Sequence, residues 1–322
     1  MTTATTTFDT KHEDMILIKL TVIQHDSKFD YYGKRLATCS SDRTIKIFDV
    51  TQDNKPLAEL KGHEGPVWQV AWAHPQFGSI LASCSYDHKV FIWREGQNNQ
   101  WSKIYEYKHL SSVNAVAWAP HELGLVLASA SSDSTIVVNT YREQTNTWDP
   151  KVIKDAHDIN CNAISWAPSA PLASLTNQPD QQAQQTLQTR LVSGGGDHLV
   201  KVWVLEGNEW KCEFKLDKHS DWVRDVAWAS NIGLPYDTIA SCSQDQNVYV
   251  WRRDTNSTGN WNATKVNKFN TVVWRVSWSL MGNLLAVSTA DNQVTLWKEG
   301  LDGNWTNVST LTDQNSTTAP SQ

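Results

Sequence analysis

Six aspartates recur along this chain at a nearly fixed interval. They are Asp42, Asp87, Asp133, Asp197, Asp245 and Asp291, spaced 45, 46, 64, 48 and 46 residues apart. Six residues after each comes the end of a short apolar strand, at Phe48, Trp93, Asn139, Trp203, Trp251 and Trp297. A period of this size means one supersecondary unit repeated, and roughly 40–45 residues hold the four strands of a β-propeller blade. The expected fold is all-β, a six-bladed propeller over residues 12–311. Polar, disordered segments are expected at 1–11 and 312–322. In such a ring, function is read from surfaces, edges and departures from the repeat.

The repeat has a second beat. A tryptophan ends the preceding strand at Trp72, Trp118, Trp166, Trp228 and Trp278, and nine residues before the first four stand His63, His109, His157 and His219. Ser-rich strands such as LASCSYD and IASCSQD run into the aspartates. This is the WD40 pattern. Its aspartate accepts from the histidine and from turn amides, which pins each blade internally. The expected structural set is His63, Asp87, Trp93, His109, Asp133, His157, Asp197, Trp203, His219, Asp245, Trp251, Asp291 and Trp297. Ser, His and Asp together also fit a catalytic triad. One set recurring at one offset in several blades argues for structure instead, and no catalytic activity is expected. A further tryptophan follows a polar hairpin in five units, at Trp101, Trp148, Trp210, Trp261 and Trp305, and reads as packing of the outer strands.

The chain has 322 residues, 40% of them apolar, enough for one continuous multi-blade core. Its net charge of −6 and the absence of a basic stripe disfavour direct nucleic-acid binding. No phosphate loop, cofactor motif or metal-spaced His/Cys cluster stands outside the repeat, so neither cofactor nor metal is expected. Cys39, Cys84 and Cys242 share one repeat position, three before the aspartate, and read as small buried strand residues of a reducing compartment. The first residues lack the pattern of a secretory signal, and no run reaches transmembrane length.

Departures from the repeat are specific. Asn139 stands where a tryptophan is expected, and Phe269 where a histidine is expected, so blades three and six should be softer. A Gln-, Ser- and Pro-rich insertion at about 169–190 in blade four reads as a passive surface loop. In blade one, Phe29 takes the place of Trp72, and the matching histidine, His12, stands eight residues too early. The excess, Met15–Ile23, is apolar and is either an added strand or an insertion arising from the gene model. The last unit supplies its own fourth strand, WTNVST, so no terminal latch closes the ring. Open blade flanks invite a partner that adds strands. The flanks are expected at Phe29, Tyr31, Tyr32 and Leu36 on one side, and at Val273, Trp274, Val276 and Trp278 on the other.

The blocks DYYGKRLATCSSDRTIKIFDV, KGHEGPVWQVAWAHPQFGSILASCSYDHKVFIWRE, HSDWVRDVAWA and NLLAVSTADNQVTLWKE closely resemble the Sec-thirteen family, small WD40 subunits of the COPII outer coat. The resemblance implies an open six-bladed propeller, completed by a blade that an α-solenoid partner inserts between blades six and one. It implies a structural scaffold for transport from the endoplasmic reticulum to the Golgi. The chain would be cytoplasmic and only peripherally attached to the endoplasmic reticulum membrane. It also implies a place in the nuclear pore, beside an α-solenoid nucleoporin of the Y-complex, and in a nutrient-signalling complex upstream of the TOR kinase. The alternative from another class is a WD40 substrate receptor that binds peptides on the top face of the propeller.

Overall fold

The structure, a computed structural model, describes residues 23–51, 55–169, 188–230, 234–254 and 259–312. Among these residues the chain forms six four-stranded antiparallel sheets, each made of four strands consecutive in sequence. The inner strands are Gln24–Phe29, Val67–Trp72, Val113–Trp118, Cys161–Trp166, Val223–Trp228 and Val273–Trp278. The last outer strand is Trp305–Thr312, so the sixth blade is complete from its own sequence and ends one residue beyond the expected boundary. His12, the apolar segment except Ile23 (15–22), most of the insertion (170–187) and the tail from residue 313 lie outside the described residues.

Strand alternation alone would give each sheet one wet face. A propeller instead sandwiches each sheet between two others, so both faces need apolar residues. The core is accordingly a series of slabs between neighbouring blades. Ala37, Cys39, Ile45 and Ile47 of blade one meet Val67, Val70, Leu81 and Phe91 of blade two. The same arrangement recurs at each junction through blade six.

Each blade turns at its aspartate. The residues that follow, Arg43, His88, Ser134, His198, Gln246 and Asn292, all take φ between 60° and 70°. The left-handed region is costly for a side-chain-bearing residue. The aspartate offsets that cost by capturing the next amide, as when Lys89 N–H donates to Asp87 Oδ1 at 2.9 Å. At the outer rim, inner and outer tryptophans of one blade pack edge to face, as with Trp72 and Trp101 at 5.8 Å and Trp228 and Trp261 at 5.7 Å.

Candidate functional site

In blades two, four and five a hydrogen-bond chain crosses the sheet. The Trp93 indole donates to Ser83 Oγ at 2.9 Å, Ser83 Oγ–H donates to His63 Nε2 at 2.8 Å, and His63 Nδ1–H donates to Asp87 at 2.9 Å. Trp203, Ser193, His157 and Asp197 repeat it, as do Trp251, Ser241, His219 and Asp245. All three serines are fully buried, and each oxygen already serves an indole and an imidazole. No substrate reaches such an oxygen, so these sets hold the blades and do no chemistry.

The aspartates are held ionised. Burial pushes the Asp87 carboxyl up, but its bond to His63 and the amides of Glu64 and Lys89 outweigh this and bring it down to about 2. Asp197 and Asp245 are held lower still against the same burial effect. His157 is pushed below the ordinary histidine value by burial, which its bond to Asp197 only partly offsets.

The set does not extend to every predicted residue. In blade three, Asn139 replaces the indole, and His109 Nδ1 withdraws to 3.6 Å from Asp133. In blade six, where Phe269 replaces the histidine, the Trp297 indole donates instead to Thr295 on its own strand at 2.9 Å. Asp291 is met by Thr289, so Asp291 and Trp297 do not belong to one chain.

Inner strands pack on one another from blade one to blade six. Among the described residues, no comparable packing closes the ring between Val273–Trp278 of blade six and Gln24–Phe29 of blade one. The expectation that Val273 and Val276 face this gap fails. Both are buried against Ala240 and Cys242 of blade five, because inner-strand valines point toward the preceding blade. Trp278 donates its indole to Ala227 of blade five at 3.0 Å. Trp274 is at a bulge, 45% exposed, with Arg224 stacked on its ring. Tyr31 and Tyr32 lie in an exposed turn, and Tyr31 leans on His74 of blade two.

The flank of blade six consists of Ala286, Ser288, Val294 and Leu296, all half-buried. Their counterparts in blade five, Ala240, Cys242, Val248 and Val250, are buried, as are those of blades one to three. Sequence reasoning missed this flank because it took the inner strand as the face. Register from the aspartate would have found it, since Val294 and Leu296 lie three and five residues after Asp291, as Val90 and Ile92 lie after Asp87. On the other side stand Gln24, Ser27, Leu36 and Phe29, the last 53% exposed. Leu36 occupies the position of Leu81, Leu127, Leu191, Ile239 and Leu285, all fully buried.

Arg275, on the inner strand of blade six, stands within electrostatic reach of Asp26 of blade one and Asp225 of blade five. Burial works against its charge, but the Asp26 and Asp225 carboxylates outweigh it and hold the guanidinium above its ordinary value. A bowl of about 530 Å³ opens beside Trp72, Trp118, Trp166 and Trp228. No helix among the described residues is long and apolar enough to cross a membrane.

Comparison with known proteins agrees with this architecture. The WD domain, G-beta repeat family matches residues 21–49, 54–94, 101–138, 210–252 and 264–298. The SEC13 homolog of Homo sapiens is 53% identical over 311 residues, covering 96% of this chain and 94% of that protein. That of Dictyostelium discoideum is 52% identical over 308 residues, 95% and 98% of the two chains. The protein transport protein SEC13 of Yarrowia lipolytica is 51% identical over 302 residues, 93% and 97%. Identity of this extent along a propeller with the same repeats assigns the chain to structural proteins, not enzymes, and it belongs to the SEC13 family of WD40 propellers.

Proposed function

We propose that this chain is a scaffold subunit of protein transport, working as the small propeller of the COPII outer coat on vesicles leaving the endoplasmic reticulum. Its partner is an α-solenoid subunit that lends a β-blade to the gap between blades six and one. The same flank serves an α-solenoid nucleoporin of the Y-complex and a regulatory complex upstream of the TOR kinase, one partner at a time. Attachment to the endoplasmic reticulum membrane is peripheral, through the coat.

One observation carries this reading: Ala286, Ser288, Val294 and Leu296 stay half-exposed where the same positions in blades one to three and five are buried. Covering such an apolar sheet face yields roughly 25 cal/mol per Å², and a blade-sized contact is of the obligate type. Copurification of the tagged chain from cells tests it. A stoichiometric α-solenoid protein, with hydrogen-exchange protection gained in blades one and six, is the expected result. A ligase adaptor, with protection around the bowl beside Trp118 and Trp166, would replace this reading with that of a peptide receptor.

A further inference from the structure

Neighbouring blades are stitched by two repeated hydrogen bonds, both donated by the following blade to the preceding one; between blades three and four, where Ala115 stands at the acceptor position, only the first is made. The inner-strand tryptophan donates its indole to a carbonyl of the preceding blade: Trp72 to Lys28 at 3.0 Å, Trp118 to Ala71 at 2.9 Å, Trp166 to Ala117 at 2.9 Å and Trp278 to Ala227 at 3.0 Å. In the second bond, a side chain of the preceding blade accepts an inner-strand amide of the following blade. Asp26 takes Val70 N–H at 3.3 Å, Gln69 takes Val116 N–H at 2.8 Å and Asp225 takes Val276 N–H at 3.1 Å. Between blades four and five Ser165 Oγ does this work for Trp228 N–H at 3.0 Å, and the Trp228 indole goes unpaired.

Both stitches fail at the junction of blades six and one. Ser277 O is the carbonyl that repeats Ala227, and blade one offers Phe29, whose side chain has no N–H to donate. Ser27 N–H is the amide that repeats Val70, and blade six offers Arg275, which cannot accept. The surrounding chemistry is also two-sided. Blade six presents Ala286, Val294 and Leu296. Blade one presents Gln24 and Ser27 where the other five blades have Val67 and Val70, Val113 and Val116, Cys161 and Ile164, Val223 and Val226, and Val273 and Val276.

We infer that the gap selects an incoming β-blade by two polar groups: a side-chain N–H donor at the end of its inner strand for the Ser277 carbonyl, and a side-chain acceptor three residues earlier for the Ser27 amide. This rests on the reading of the gap as a partner site. The face toward blade six is apolar, and the face toward blade one carries the acceptor. Blade two of this chain satisfies both requirements, through Trp72 and Gln69, and serves as the probe.

The test fuses a second copy of residues 61–109 after Gln322 of the full chain. With the unaltered copy, the Ser27 amide is expected to exchange about tenfold more slowly, and the melting temperature to rise. Gln69→Leu in the copy alone should return Ser27 to fast exchange while most of the thermal gain remains. Trp72→Phe in the copy should reduce the thermal gain. Equal protection of Ser27 by the unaltered and the Gln69→Leu copies, or no protection by the unaltered copy, would overturn the inference. No natural partner enters this readout. A failed copurification therefore bears on the proposed function alone, and a failed exchange experiment on the selection rule alone.

Discussion

The hydroxyl of Tyr105, on the outer strand of blade two, donates to Asn139 Oδ1 of blade three at 2.9 Å. A tyrosine from next door thus meets the position that holds an indole in blades two, four and five. Burial, with Tyr107 and Asp149 adding to it, pushes the Tyr105 phenol up to about 12, so it remains a donor at any ordinary pH. Asn139 Nδ2 is buried without a partner. Asn139→Leu should therefore cost about 1–2 kcal/mol, because it strands the phenol. Adding Tyr105→Phe should recover most of that loss, since removing both partners leaves nothing unsatisfied. Urea unfolding of the two single variants and the double variant measures the coupling.

Asp87 gathers His63, the Glu64 amide and the Lys89 amide. Asp87→Ala should lower stability by on the order of 1–3 kcal/mol. Asp291 lacks a histidine partner, so Asp291→Ala should cost less, and thermal melts of the two variants side by side decide the order.

Acid should act in two stages. His157 has its folded pKa below the ordinary value of 6.5, so its contribution is complete above 6.5 and fades as pH falls below it. The lowered aspartates contribute fully above 3.8, and Asp87 loses its share as pH falls from there through about 2. A melting curve taken at half-unit steps should slope gently below neutrality and then steeply below pH 4. His157→Gln should flatten the gentle part and also make the steep part shallower by the share of Asp197, whose carboxyl His157 helps to hold down.

Leu296 and Val250 occupy the same repeat position in blades six and five, one half-buried and one buried. Leu296→Asp is expected to change stability by no more than about 1 kcal/mol while abolishing partner capture. Val250→Asp, placing a charge in a closed slab, should cost about 4 kcal/mol or more. Differential scanning of both variants, with copurification of the first, checks the contrast.

Arg275 restrains a buried acid, Asp225. Burial raises the Asp225 carboxyl, and Arg275 opposes that rise. In Arg275→Leu the carboxyl should climb further. An acid raised on folding contributes stability below its unfolded value of 3.8 and loses it as pH rises through the folded value. The variant should lie nearest the parent at pH 4 and fall about 2–4 kcal/mol short at pH 7. The pH dependence of its melting temperature relative to the parent reads this directly.

The interval between aspartates made the blade count legible, because each turn must capture an amide at a backbone position that strains most residues. The His63, Ser83 and Trp93 chain was equally plain, being local and repeated. The open flank was harder to see. Val273 and Leu296 are both apolar strand residues, and nothing in their local pattern says which neighbour each faces. That depends on the handed order of blades around the ring. Sequence reasoning passed over Arg275, though it is a cation at a position held by Gln69 and Asp225 in sister blades. Its meaning emerges only once Asp26 and Asp225 are seen to lie around it.

The half-covered side chains of blade six also bear on how many copies a cell can keep. Under the proposed function, a chain without its α-solenoid partner presents Val294 and Leu296 to any quality-control factor that recognises unfinished sheets, and mass action lends it none of the stability of that complex. Excess copies should be cleared while partnered copies persist. The abundance of this chain would then follow that of the proposed α-solenoid partners, with no dedicated signal between them.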